Sequence, residues 1–308
     1  GGGSAVAGAP VARSGGPGTG GSALSNVAGE RSGGSGGVTV AGAGTPGAGM
    51  PGAGMPGAGS NMGGTASGAA AGAAGSHAAA SGSGGSSSLP PHSGTWRITP
   101  LGDSITGSTC GPQLLAKALA DHGKTNFVFV GSNLNNQSCN GAGTVQTEGH
   151  GGYLVTDLVG NGMHAAELPK WCESNRADLV LMQFGTNDVW SDHSPSVILD
   201  AYSTVLSDLR AANPNVVVMV AQITPLNPKD CADCEARVVA LNAQIPAWAS
   251  SKTSAASPVS VVDLHAAFVA ASYTLNSTYT ADGVHPNVAG AQLIAAKWFD
   301  ALVALGAP

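Results

Sequence analysis

The 308-residue chain carries a net charge of −6, with 10% charged and 5% aromatic residues. An acidic balance without a basic stripe argues against nucleic acid as a partner, and no apolar run reads as long enough to span a bilayer. The residues are unevenly spread: 31 of the 47 glycines precede Thr95, and no Phe, Trp or Tyr precedes Trp96.

Residues 1–94 are Gly, Ala, Ser and Pro with few charges, and Pro46–Gly59 repeats the unit PGAGM. Such a composition cannot bury enough apolar surface to offset the entropy of ordering, so this stretch reads as a disordered spacer. Proline keeps it extended and glycine keeps it flexible. The chain shows neither an initiating Met nor a signal peptide, so it reads as a processed or trimmed product. Residues 95–308 suit one domain with a single core.

Within that domain, strand and helix patterns alternate. Trp96–Leu101 reads as extended, Leu114–His122 as a helix closed by Gly123, and Phe127–Val130 as a buried strand. A Gly/Asn/Ser-rich loop is expected to run to about Gly152, and Leu154–Asn175 to be mostly helical with a break near Gly160–Gly162. Asp178–Phe184 is a second buried strand and Pro195–Ala212 an amphipathic helix. Val216–Ile223 is a third strand, Ala232–Ser250 a helix interrupted at Pro246, Val259–Val262 the last strand and Val288–Leu305 the closing helix. Continuous apolar strands separated by helices predict a mostly parallel sheet covered on both faces, hence a three-layer α/β/α sandwich. In such sheets ligands bind beyond the carboxyl ends of the strands.

All five cysteines lie in the domain. Cys231 and Cys234 form a CxxC, but no second pair or His cluster completes a zinc site. The pair follows the loop Pro225–Asp230, not the strand that thioredoxin-like redox chemistry requires. A small structural disulfide is therefore expected. Cys110 and Cys139 can form a second bridge, leaving Cys172 free. With the spacer, this favours an oxidising, secreted or extracellular setting.

Three strand ends carry unusual polar sequences: Gly102-Asp103-Ser104-Ile105-Thr106, Gly185-Thr186-Asn187-Asp188 and Asp282-Gly283-Val284-His285. Singly, each reads as a turn or helix cap. Together they satisfy one chemistry. A serine hydroxyl needs a base near neutral pH, which histidine supplies, and a carboxylate holds the imidazole in one tautomer. Asp282 and His285, three apart, can point the same way in a turn. An oxyanion then needs fixed donors, and the Asn187 amide with backbone N–H groups can provide them. Asp103 reads as a structural cap and Asp188 as a brace for the Asn187 loop. His150 reads either as cleft lining or as a surface-loop residue. His164, His193 and His265 show no matched partners, and Trp190 and Tyr153 suit either sugar stacking or packing at the rim.

In this order, GDSIT, a Gly-rich second block, GTND and DGVHP resemble the SGNH/GDSL hydrolase superfamily, over essentially Trp96–Pro308. The resemblance implies a flavodoxin-like sandwich, with Ser104 as nucleophile, His285 as base and Asp282 behind it. It also implies an oxyanion hole of Ser104, Gly152 (within Glu148-Gly149-His150-Gly151-Gly152-Tyr153) and Asn187, with no metal and no cofactor. Arg97-Ile98-Thr99-Pro100-Leu101 before GDSIT, the EGHGGY block, and Ala236-Arg237-Val238 through Ile245-Pro246 are similar to family-three carbohydrate esterases, which deacetylate xylan. Gly151 departs from that pattern, in which serine is common. The expected substrate is an acetylated polysaccharide or a small ester, and the spacer suggests a tether to a carbohydrate-binding module absent from this chain. The competing readings are a short-chain lipase or general carboxylesterase, and a non-catalytic carbohydrate-binding protein on the same fold.

Overall fold

The computed structural model describes residues 89–270, 278–280 and 282–308. The expected spacer lies outside the described residues as far as residue 88. At the start of the described chain, Leu89 packs against the core and His92 stacks on Trp96, with ring centroids 4.0 Å apart.

The described residues form one seven-stranded, mostly parallel sheet. Its strands are β1 (Trp96–Gly102), β2 (Phe127–Phe129), β3 (Asn133–Asn135), β4 (Val145–Gly149), β5 (Leu179–Gln183), β6 (Val217–Gln222) and β7 (Val259–Asp263). The spatial order is β3-β4-β1-β5-β6-β7, and β2 pairs with the first part of β1. Only β3 and β4 run antiparallel to each other. Along β5 and β6 the side chains divide strictly: Val180, Met182, Val218 and Val220 face one cluster, and Leu179, Leu181, Val217 and Met219 face the other. Two buried faces explain why these strands are apolar without alternation.

Pro100 sits inside the central strand. Ile98 accepts from Val130 and Gly102 from His150, so the even positions of β1 point toward β2 and β4. β2 pairs with residues 96–98 and β4 with 101–102, so the missing Pro100 N–H falls in the gap between them.

One face is covered by α2 (Gly111–Asp121), α8 (Leu264–Ala270) and α9 (Val288–Leu305), the other by α3 (Leu168–Ser174), α5 (Pro195–Ala212), α6 (Cys234–Asn242) and α7 (Ile245–Lys252). Two short helices, α1 (Ser104–Ser108) and α4 (Thr186–Trp190), follow β1 and β5 directly. The Cys110–Cys139 and Cys231–Cys234 disulfides are formed, and Cys172 is free and buried. Burial pushes the Cys172 thiol up to about 12.

Three expectations are corrected. The loop expected before Gly152 contains the β3–β4 hairpin, whose Thr147 and Glu148 are buried polar residues and so carry no apolar signature. The helix expected over Leu154–Asn175 is reduced to a 3₁₀ turn at Val155–Leu158, whose first N–H groups Asp188 caps, and to α3; between them Gly160 turns to φ +61° and the His164 N–H donates to the Asp157 carbonyl. Finally, α9 is long and apolar enough to cross a bilayer by length and composition, with a mean hydropathy of 1.4. In this fold its Ile294, Ala295, Trp298 and Leu302 face is spent on the core.

Candidate active site

The carboxyl ends of β1, β4 and β5 and the turn before α9 bring the polar motifs to one edge of the sheet. Asp103 caps α1 by accepting the Ile105 N–H at 2.9 Å. This puts Ser104 at the first helical position, where no intrahelical carbonyl can satisfy its N–H. Asp103 is fully buried, and its second oxygen faces the Thr186 hydroxyl without a well-directed hydrogen bond. Burial pushes its carboxyl up to about 6. The Ile105 N–H and the Thr186 hydroxyl oppose the rise and the nearby Asp188 adds to it.

Ser104 Oγ lies 2.9 Å from His285 Nε2, and His285 Nδ1 lies 2.7 Å from Asp282 Oδ2. The other Asp282 oxygen accepts the N–H groups of Val284 and His285, at 2.9 and 2.8 Å. The DxxH spacing thus closes a turn on its own carboxylate. Partial burial acts to raise the Asp282 carboxyl, but these hydrogen bonds and the ring's charge outweigh it and hold the group below its ordinary value. With the carboxylate accepting from Nδ1–H, Nε2 is left to accept the serine proton.

The Gly-rich block passes over the nucleophile. The His150 N–H donates to Gly102 O at 2.9 Å, tying the block to the end of β1. A Cβ placed on Gly151 would stand 3.9 Å from Ser104 Cβ. Gly152 follows with φ +80°, and Asn187 Nδ2 donates to the carbonyl of Tyr153 at 2.9 Å. Ser104, His285 and Asp282 are therefore in one hydrogen-bonded line, and Asn187 is bonded to the same block that carries Gly152. Asp188 ties this block to α4, accepting from Val155 and Thr156.

Close backbone packing fixes the nucleophile's height. Between α1 and β4, a Cβ on Gly149 would meet Gly107 N at 2.3 Å, and one on Gly107 would meet Gly149 O at 2.5 Å. Both positions demand glycine.

The partners of several residues around the site escaped the sequence reading. Glu148, 2% exposed, collects Ser132 N and Oγ, His150 Nε2 and Asn175 Nδ2. His150 also meets Asn133 and stacks on Trp171 at 3.9 Å, so its ring is a packed structural element. Tyr153 stacks on His164 at 3.7 Å and donates to Glu167, which also bonds His164 at 2.9 Å. Trp190 is half-buried against the core. Tyr153 and Trp190 are thus both engaged in packing. His164 and His265, for which the sequence showed no partners, are paired with Glu167 and Glu235. The i,i+3 spacing of His164 and Glu167 is a local signal that could have been read. The His265–Glu235 pair, 30 residues apart, leaves none.

The sequence pattern of the GDSL-like Lipase/Acylhydrolase family matches residues 101–293. Among solved structures, an acetyl esterase mutant with an acetate ion is 32% identical, covering 68% of this chain and 98% of that one with a TM-score of 0.58. A carbohydrate esterase family 3 protein from Talaromyces cellulolyticus is likewise 32% identical with the same coverage and a TM-score of 0.59. An arylesterase from Vibrio mimicus is 28% identical over 135 residues, which is 42% of this chain and 56% of the arylesterase, so the chain spans just over half of that relative.

Proposed function

This chain belongs to the GDSL-like lipase/acylhydrolase family, and on that premise we propose that it is a serine esterase that removes small acyl groups, acetyl above all, from a carbohydrate. The observation that carries the reading is the continuous relay from Ser104 Oγ through His285 to Asp282, at 2.9 and 2.7 Å. His285 Nε2 takes the proton as Ser104 Oγ attacks the ester carbonyl, while Asp282 holds the imidazole tautomer and stabilises the imidazolium. The tetrahedral oxyanion is met by the N–H groups of Ser104 and Gly152 and by the Asn187 amide. One Asn187 amide hydrogen is engaged by Tyr153 O, leaving the other for the oxyanion. The alcohol leaves with the proton from His285. Water, deprotonated by the same ring, then releases the acid and restores Ser104. The reaction needs only groups of this chain and water.

The acetyl and carbohydrate assignment is supported by the likeness to the acetyl esterase and to the family 3 carbohydrate esterase, each 32% identical. We place the protein in an oxidising, extracellular setting on the two disulfides, with the Gly/Pro-rich stretch as a spacer to a carbohydrate-binding module. A general short-chain carboxylesterase is the second reading, favoured by the arylesterase relative.

The test is turnover of 4-nitrophenyl acetate by the protein and by Ser104→Ala. We expect a loss of about 10⁴-fold or more in kcat with an unchanged melting temperature. Turnover unaffected by the substitution removes the mechanism. Acetate release from acetylated xylan, compared with hydrolysis of esters of increasing acyl length, separates the two esterase readings. A preference for long acyl chains removes the carbohydrate one.

A further inference from the structure

The turn carrying Asp282 and His285 is braced from another part of the chain. The Asn227 N–H donates to the Gly283 carbonyl at 2.8 Å. Gly283 has φ +84°, and a Cβ there would meet the Asn227 carbonyl oxygen at 2.1 Å, so only glycine lets these two backbones meet. One residue earlier, the Leu226 N–H donates to Glu235 Oε2 at 2.9 Å, and Leu226 itself is 1% exposed. The second oxygen, Glu235 Oε1, bonds His265 Nε2 on α8 at 2.7 Å. Glu235 lies in the first turn of α6, next to the Cys231–Cys234 disulfide that closes the same loop. The bond to Glu235 raises the His265 pKa against the opposing effect of burial.

We propose that Glu235 is a positioning residue for the hydrolytic site: clamped by His265, it holds Leu226 and Asn227 against Gly283 and so sets the distance of His285 from Ser104. Glu235 bonds Leu226 and His265, and no bond joins it to Ser104, Asp282 or His285. Its influence travels through two backbone contacts. Removing the carboxylate frees the Leu226 N–H and lets the loop relax. The turn that carries the half-exposed Asp282 and His285 side chains then loses its outer brace. Displacement of a base by a fraction of an ångström costs rate more than binding.

The inference rests on the esterase reading, and its test keeps the two apart. 4-Nitrophenyl acetate turnover is measured for the unaltered protein, Glu235→Ala, Glu235→Gln and Glu235→Asp. Each kcat is divided by the sites counted after exhaustive phosphonylation of Ser104. In Glu235→Ala we expect kcat per site to fall about tenfold, with KM within about twofold. Glutamine keeps an acceptor for Leu226 and a group for His265, so Glu235→Gln should recover kcat to within about twofold. Should Glu235→Ala not fold, Glu235→Asp, one methylene too short to reach Leu226, takes its place with the same expectation. An unchanged kcat per site in the variant that folds, whatever its melting temperature, reduces Glu235 to a structural residue and overturns the proposal. An equal loss in Glu235→Gln overturns the hydrogen-bond route. No turnover by the unaltered protein overturns the esterase reading, and this inference with it.

Discussion

Ser104 stands on backbone wedged among buried groups, whereas the Asp282 and His285 side chains reach half into solvent from a turn whose Gly283 and Val284 are buried. Asp103 beside the serine is fully buried, and Gly107 and Gly149 leave no room for a side chain between α1 and β4. Across the site, the side chains of His285 and Asp282 are 40% and 51% exposed, and their turn is set by its own carboxylate and by the Asn227 brace. The difference separates two kinds of error. A fault on the nucleophile side has to be absorbed by packed backbone and shows as lost stability. A fault in the half-exposed side chains of the base side has solvent to relax into and shows as lost rate.

The largest effect that sharpens this contrast is expected from Asp282→Asn. Asparagine keeps an acceptor for the Val284 and His285 N–H groups, but its amide favours the wrong imidazole tautomer. We expect kcat to fall about a thousandfold while the urea midpoint stays nearly constant, measured by 4-nitrophenyl acetate kinetics and equilibrium unfolding. A variant that keeps most of its kcat, or that unfolds, breaks the contrast on the base side. The next effect belongs to the other side. Gly149→Ala puts a Cβ 2.3 Å from the Gly107 nitrogen, and neither backbone can step aside cheaply. A loss of about 3–4 kcal/mol in unfolding free energy is expected, at the upper end for overpacking. A cost below about 1 kcal/mol would mean that α1 floats on β4 and that the nucleophile is held no more rigidly than its base.

The same contrast decides what could be read from the amino-acid order. The GDS and DGVHP motifs were legible because each is local: a cap at Asp103 and a carboxylate closing its own three-residue turn. The inner strands were legible because Leu179–Gln183 and Val217–Gln222 are apolar on both faces. The supports were not. β4 buries Thr147 and Glu148 because Ser132, His150 and Asn175 satisfy the carboxylate, the first and last of them from segments distant in the chain. The stretch after Tyr153 has helical spacing, yet its first turn is held by Asp188, some thirty residues away, and the chain leaves the helix where Gly160 takes φ +61°. Even α9, whose composition would suit a bilayer, is assigned to the core only by what it packs against. Periodicity reports which way a segment faces, and a hydrogen bond between distant segments overrides it without leaving a local trace.

Asp103 offers a subtler way to test the buried half. Burial pushes its carboxyl from an ordinary 3.8 up to about 6, so the folded protein holds a proton that the unfolded chain has already lost at pH 5. Stability associated with this group is therefore fully present below pH 3.8 and declines as pH rises through about 6, by up to about 3 kcal/mol. Other buried carboxyls raised by burial, Asp188 among them, act in the same direction. The decisive quantity is therefore the difference between the unaltered protein and Asp103→Asn, compared by urea unfolding at pH 4 and pH 7. Asparagine keeps an acceptor for the Ile105 N–H and cannot ionise, so the variant should gain on the unaltered protein as pH rises. Parallel stability curves would mean that the carboxylate beneath the nucleophile is as well solvated as the one beneath the base, and the two halves of the site would no longer differ in kind.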